Sequence, residues 1–152
     1  MSESGYRTPT VKEGTFRTSS DEETVELGRT IARSMPKKIC VLLIGNLGAG
    51  KTTLAKGIIH GLGFAQPEEI VSPTFTLIHE YGEGRVYHID LYRLDKPEQI
   101  ATLGLEDIFD RDAVVLIEWG ERFPSLMPPS RMEIRLEALT GDERQIEIKT
   151  TL

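Results

Sequence analysis

A glycine-rich loop between an apolar run and a helical pattern constrains this chain more than any other feature. Residues 39–45, ICVLLIG, form a continuous run of β-branched and leucine side chains, typical of a strand buried on both faces of a parallel sheet. The loop GNLGAGKTT follows, and residues 51–64, which begin at the lysine of the loop, change to helical periodicity and stop at glycines. Strand, glycine loop and helix in this order predict an α/β fold in which the loop opens the helix.

The loop itself matches the phosphate-binding pattern G-x-x-x-x-G-K-[ST]. Glycines let successive backbone N–H groups point inward around an anion, and the following helix adds its positive end. We expect Lys51 to reach the β- and γ-phosphates of a nucleotide and Thr52 to supply a hydroxyl to Mg²⁺. The predicted nucleotide cradle consists of Gly45, Asn46, Leu47, Gly48, Ala49, Gly50, Lys51, Thr52 and Thr53.

A nucleotide hydrolase of this type also needs an acidic group at the end of a neighbouring apolar strand. Two strands qualify, because VYHID ends at Asp90 and VVLIE ends at Glu118. The unbroken apolar run before Glu118 favours it as the metal-side residue, although aspartate is the commoner choice there. The pattern alone leaves both assignments open.

Other polar residues in the same region permit two interpretations. The segment SPTFT, Ser72–Thr76, is either a mobile loop that senses the γ-phosphate or the entry to a strand. His79 and His88 lie in strand patterns without a second ligand at metal spacing, so we interpret both as structural histidines.

The rest of the chain is consistent with one domain. At 152 residues it is long enough to bury a core, and we divide it into a flexible arm, residues 1–14, and a single domain, residues 15–152. Ser20 and Glu23 predict a helix start, and residues 74–92 indicate a hairpin or adjacent strands around a Gly-Glu-Gly turn. Residues 96–110 are mostly helical with a break at Gly104, and residues 131–150 alternate like two antiparallel strands.

Composition narrows the compartment and the partners. The one cysteine, Cys40, lies in the apolar run and is expected to be a core residue in a reducing compartment. Neither a signal-peptide pattern nor an 18-residue apolar run is present, so a cytoplasmic protein without a membrane span is expected. The net charge of −6 disfavours direct binding to nucleic acid.

Five stretches in order give the chain a more specific resemblance: GNLGAGKTT, SPTFTLIHEY, HIDLYRL, LGLEDIF and VVLIEWGER. Together they resemble the bacterial TsaE (YjeE) family, over roughly residues 16–150. This family is the ATPase of the machinery that installs threonylcarbamoyl on adenosine 37 of tRNA (t6A). The resemblance implies a P-loop NTPase-like three-layer α/β/α sandwich with a mixed, mainly parallel sheet. It also implies ATP and Mg²⁺ in the site, TsaD and TsaB as partners, and contact with tRNA only through them.

Site residues are implied by the same resemblance. It assigns catalytic importance to Lys51, Asp90, Glu118 and Trp119, with Thr52 and Glu118 holding Mg²⁺ and Asp90 beside the γ-phosphate and the 72–76 segment. The family's adenine pocket, formed by residues before the first helix and by C-terminal residues, points to Thr18 and the neighbourhood of Arg131.

Two other activities use the same loop. A small-molecule kinase on this fold usually has an arginine-bearing lid over the phosphates, and no separate Arg-rich insertion is evident in the sequence. A GTPase of this fold typically carries N/T-K-x-D after a late strand, and the chain contains no such stretch. The sequence therefore favours an adenine nucleotide and hydrolysis, with the kinase as the alternative.

Overall fold

The computed structural model describes residues 13–151, whose strands form one seven-stranded sheet. In chain order the strands are β1 (Gly14–Thr18), β2 (Ile39–Ile44), β3 (Ile78–Tyr81), β4 (Val86–Asp90), β5 (Val114–Glu118), β6 (Met132–Ala138) and β7 (Arg144–Thr150). The helices are α1 (Asp21–Ala32), α2 (Lys51–Gly61), α3 (Pro97–Ala101) and α4 (Leu105–Phe109). Residues 1–12 of the predicted arm lie outside the described residues, and Gly14 is already the first residue of β1.

The strand order is β1-β7-β6-β2-β5-β4-β3. β2 runs parallel to both β5 and β6, and β4 runs parallel to β5. β7 is antiparallel to β6 and β1, while β3 is antiparallel to β4. All strands except β3 and β7 therefore point in one direction, which confirms the predicted mixed, mainly parallel sheet.

The central strand β2 divides the core into two layers. Val41 and Leu43 belong to a cluster that includes residues of α1 and α2, whereas Leu42 and Ile44 belong to a second cluster with residues of α3 and α4. Side chains of a strand alternate between its faces, so an unbroken apolar run is the pattern that two covering layers require. The predicted three-layer sandwich is confirmed.

Helix α1 begins and packs as its sequence indicates. The Ser20 hydroxyl accepts a hydrogen bond from the Glu23 N–H at 3.1 Å, and the Glu23 carboxylate accepts one from the Ser19 N–H at 2.7 Å. Against α2, a Cβ added to Gly57 would lie 2.0 Å from the Val25 carbonyl oxygen. Glycine lets the two backbones touch there, which fixes the direction of α2 and the position of its first residue.

The remaining elements also follow their sequence patterns. The hairpin of β3 and β4 turns through residues 82–85, which include the Gly-Glu-Gly stretch, and β6 and β7 form a second antiparallel pair. The helical stretch is interrupted at Gly104, which has a φ of 72° and separates α3 from α4. Within residues 13–151 we find no helix with the length and apolar character needed to cross a membrane.

Candidate nucleotide-binding site

The carboxyl ends of β2, β4 and β5 meet the start of α2 around one cavity of about 390 Å³. Open α/β sheets place ligands at this edge, because the loops that follow parallel strands converge there. Side chains and loop residues from six parts of the chain line the cavity: Asp21, Leu47, Gly48, Gly50, Lys51, Thr52, Thr53, Ser72, Thr74, Asp90, Tyr92, Glu118, Trp119 and Arg144.

The glycine loop has the backbone that its pattern predicts. Gly48 and Gly50 have φ angles of 79° and 101°, a region that residues with a Cβ rarely adopt. Ala49 is buried, and its N–H donates to the Asn46 carbonyl at 3.1 Å, which closes the turn. Asn46 lies on the far side of the loop, beside a second cavity of about 480 Å³ that is bordered by β6.

Lys51 is the first residue of α2 and is only 5% exposed. Its ammonium donates to the Gly45 carbonyl oxygen at 2.7 Å and lies 3.5 Å from the centroid of the Trp119 ring. Burial lowers the pKa of Lys51, and the nearby Glu118 carboxylate opposes that effect. A cation held at the mouth of an amide-lined loop is suited to binding an anion.

Glu118 ends β5 and lies against the hydroxyl of Thr52. Its Oε2 accepts a hydrogen bond from Thr52 Oγ1 at 3.0 Å and another from His88 Nε2 at 2.7 Å. The structure therefore brings together the two predicted metal ligands. His88, interpreted from the sequence as structural, contacts one of these ligands, Glu118. The only sequence signal for this contact was the position of His88 two residues before Asp90.

Asp90 ends β4 and binds the 72–76 segment. Its Oδ2 accepts hydrogen bonds from Ser72 Oγ at 3.3 Å and Thr74 Oγ1 at 3.0 Å, and its Oδ1 accepts the Tyr92 N–H at 2.8 Å. The segment is a turn rather than the first residues of β3, which begins at residue 78. Phe75 at its tip is 80% exposed. Asp90 thus links the sheet to an exposed turn at the cavity.

Trp119 forms a wall of the cavity immediately after Glu118. It has a φ of 69°, an uncommon conformation for a bulky residue, which turns the chain sharply at the end of β5. Its ring packs against Tyr92 at a centroid distance of 5.2 Å, and the Arg122 guanidinium lies 5.4 Å from its ring centroid. The ring therefore contacts Tyr92 and Arg122 as well as the Lys51 ammonium.

The residues predicted for the adenine pocket are not brought together. Thr18 is buried just before α1, where its hydroxyl lies 2.7 Å from that of Thr24, and it does not line the cavity. Arg131 precedes β6 at the edge of the sheet opposite the loop, because β6 runs parallel to β2 and Met132 pairs with Val41. Its guanidinium donates to Glu133 at 2.9 Å. The prediction for Arg131 is thus wrong in position, and Arg131 is not part of the candidate site.

Arg144, which the sequence reasoning missed, is the C-terminal residue at the cavity. It begins β7, pairs with Thr18, and lies beside Gly50. Its Nε is buried and has no hydrogen-bond partner among residues 13–151. The sequence signal for Arg144 was the predicted hairpin of β6 and β7. Because β6 ends at the loop edge of the sheet, the residue that begins β7 after the turn lies at the same edge.

The donors at this site fit Mg²⁺. A threonine hydroxyl and a carboxylate are hard oxygen ligands, which Mg²⁺ prefers. Within the described part of the chain, no group of three or more His, Cys, Asp or Glu side chains could hold a metal by itself. Mg²⁺ in nucleotide sites usually takes one or two protein ligands and completes its shell with phosphates and water.

Comparison with known proteins identifies the family. The family model described as threonylcarbamoyl adenosine biosynthesis protein TsaE matches residues 18–146. The chain belongs to the TsaE family. The tRNA threonylcarbamoyladenosine biosynthesis protein TsaE of Nostoc sp. is 43% identical over 133 residues, covering 84% of this chain and 80% of the relative. That of Bacillus subtilis is 36% identical over 138 residues, covering 90% and 85%.

A solved structure agrees with this family assignment. The crystal structure of Bacillus subtilis YdiB superposes with a TM-score of 0.75 at 34% sequence identity, covering 94% of this chain and 88% of that one. The family match spans every strand from β2 to β6, the glycine loop and both strand-end acids. The chain is therefore a TsaE-family member with a P-loop NTPase-like fold, and its family belongs to tRNA threonylcarbamoyladenosine biosynthesis.

Proposed function

We propose that this TsaE-family chain is a Mg²⁺-dependent ATPase that drives a conformational step in the t6A machinery of the cytoplasm. The observation that carries the proposal is the meeting of Lys51, the Thr52–Glu118 pair and Asp90 around one cavity at the start of α2. A cation, a hydroxyl–carboxylate pair and a carboxylate bound to an exposed turn are the groups that nucleotide hydrolysis needs in one place.

The loop and Lys51 would bind the phosphates of ATP. Backbone N–H groups of the glycine loop and the N-terminus of α2 favour negative charge, and Lys51 adds a full positive charge. Its present partners, the Gly45 carbonyl and the Trp119 ring, are neutral. Phosphate oxygens in their place would give the buried ammonium a charge-assisted hydrogen bond, which is stronger than a hydrogen bond to a neutral carbonyl.

The Thr52 hydroxyl and Glu118 would hold Mg²⁺, and the ion would neutralise the negative charge of the β- and γ-phosphates. The Thr52 hydroxyl donates its hydrogen to Glu118, so its oxygen lone pairs stay free for a cation. Glu118 binds Thr52 and not the 72–76 turn, which supports placing it on the metal side.

Asp90 would transmit the state of the γ-phosphate to the 72–76 turn. It already accepts two hydroxyl hydrogen bonds from that turn, and the turn carries the exposed Phe75. A ligand that competes for these contacts would shift the turn between two positions. A partner that binds one position more tightly would then bind differently before and after hydrolysis. We propose TsaD and TsaB as those partners, with tRNA contacted through them.

The test is release of phosphate from ATP by the purified chain, with and without purified TsaB and TsaD. We expect slow, Mg²⁺-dependent release by the chain alone and faster release with both partners. Phosphate transfer that appears only with an added small-molecule acceptor would favour the kinase instead. Turnover that is identical without partners would leave the ATPase but remove TsaD and TsaB from the proposal.

A further inference from the structure

His88 is a fully buried polar side chain on β4, with 0% exposure. It precedes Asp90 by two residues, so both side chains lie on the same face of the strand. β4 pairs in parallel with β5, and Asp90 is directly opposite Glu118. His88 is therefore on the face from which both strand-end carboxylates extend, one step deeper in the sheet.

The contact between His88 and Glu118 involves one carboxylate oxygen. Nε2 of His88 lies 2.7 Å from Oε2 of Glu118, and the same oxygen accepts the Thr52 hydroxyl at 3.0 Å. Oε2 already acts as the acceptor toward Thr52, and the geometry assigns it the same part toward His88, with Nε2 as the donor. Within residues 13–151, Oε1 of Glu118 accepts no hydrogen bond.

Two donors from different elements fix the carboxylate in a way that one does not. With Thr52 alone, Glu118 could pivot about a single contact at the start of α2. His88 adds a second contact from β4, and its ring is held by complete burial within the sheet layer. The two contacts together hold Oε2 and leave the other oxygen available.

We propose that His88 is a positioning residue that sets the orientation of Glu118 for the Mg²⁺–nucleotide complex. The inference rests on the proposed function, since it assigns His88 a role only if Glu118 serves the metal. Residues that orient a metal-ligating side chain typically change metal affinity or activity by about 10–100-fold when replaced. His88 acts through one N–H group, which makes the role separable from its packing.

The experiment compares three variants with wild type. His88→Gln keeps an N–H donor near the position of Nε2, whereas His88→Leu keeps bulk and removes the donor. The matched control is Tyr87→Phe, which removes the hydroxyl that Arg111 contacts. Tyr87 lies on the same buried strand as His88 but on its opposite face. Equilibrium binding of a fluorescent, non-hydrolysable ATP analogue is measured against Mg²⁺ concentration, and thermal unfolding is recorded for each protein.

In His88→Leu we expect the Mg²⁺ concentration for half-maximal binding to rise by about 10–100-fold. His88→Gln should restore most of the affinity, and Tyr87→Phe should match wild type. A folded His88→Leu protein with the wild-type Mg²⁺ requirement, or equal losses in His88→Leu and His88→Gln, would overturn the proposal. Wild-type binding that ignores Mg²⁺ would instead contradict the proposed function.

A second measurement covers the case in which His88→Leu does not fold. In ¹⁵N-histidine-labelled wild type, the His88 ring should carry a slowly exchanging proton on Nε2, because that proton is buried in a hydrogen bond. In Glu118→Gln the chemical shift of that proton should change. A His88 ring whose proton is on Nδ1 alone would refute the donation to Glu118.

Discussion

The Lys51 ammonium lies 3.5 Å from the centroid of the Trp119 ring, at the mouth of the candidate nucleotide cavity. A cation over an indole face is attracted by the ring quadrupole. Trp119 is the only tryptophan in the chain, so tryptophan emission reports on the surroundings of this one ring. The same ammonium is the group proposed to move to the phosphates of ATP.

Mg²⁺-ATP should therefore change the fluorescence of Trp119 in the wild-type chain. The expected cause is movement of Lys51 from the indole face to the phosphates. In Lys51→Ala the ATP-dependent change should be absent, because the cation that moves is gone. The measurement is an emission titration with ATP, with AMP as the control ligand that lacks the β- and γ-phosphates.

Thermal unfolding gives the same variant a second readout. Ligand linkage predicts that ATP at a hundredfold excess over its dissociation constant stabilises the wild-type chain by roughly 2.7 kcal/mol. Lys51→Ala should fold normally but lose most of this stabilisation, since its side chain contacts the loop carbonyl and Trp119 and is not part of either apolar cluster. An equal ATP-dependent shift in both proteins would contradict the site assignment.

Glu118→Gln and Asp90→Asn should differ in what they impair. Glu118 contacts Thr52, whereas Asp90 contacts Ser72 and Thr74. We expect Glu118→Gln to raise the Mg²⁺ concentration that half-maximal turnover needs, and Asp90→Asn to lower turnover at saturating Mg²⁺. Mg²⁺ titrations of phosphate release test both. An unchanged metal requirement in Glu118→Gln would transfer the ligand role to Asp90.

The elements of this fold could be predicted because each has a strong local pattern. A few consecutive residues are enough to predict the buried strand β2 from its unbroken apolar run, the helix start from the cap at Ser20, and the helix break from Gly104. The pairing of Glu118 with His88, and the placement of Arg144 at the cavity, depend on which strands are neighbours and in what direction they run. A local pattern does not carry that information, and the family resemblance pointed to the neighbourhood of Arg131 and not to Arg144.

Cys40 should be unreactive in the folded chain. Burial raises the pKa of its thiol from 9.0 to about 12, against a smaller opposing effect of the Arg131 guanidinium. The folded state therefore retains the thiol proton more strongly than the unfolded state, and the stability this provides is fully present below pH 9 and is lost between pH 9 and about pH 12.

One measurement checks the reactivity of the thiol, and a second checks the pH dependence of stability. A thiol reagent at pH 8 should modify Cys40 rapidly in denaturant and very slowly without it. The free energy of unfolding should fall more steeply above pH 9 in wild type than in Cys40→Ala, which lacks the thiol. Equal slopes in the two proteins would show that the thiol does not contribute.

With a net charge of −6, the chain alone should bind tRNA weakly, because nonspecific affinity comes from neutralising phosphates with clustered cations. Its family nevertheless belongs to tRNA threonylcarbamoyladenosine biosynthesis, so the basic surface and the transfer chemistry would reside in the proposed partners, TsaD and TsaB. The γ-phosphate state at Asp90 and the 72–76 turn would then bias the partner between two conformations.

We expect threonylcarbamoyl transfer to continue past one cycle with wild type and to stop near one cycle with Lys51→Ala. The measurement is product per TsaD over time in a reconstituted reaction, beside tRNA binding by the isolated chain at physiological salt. Equal product over many cycles with both proteins would refute the role of hydrolysis, and tight tRNA binding by the isolated chain would refute the reasoning from charge.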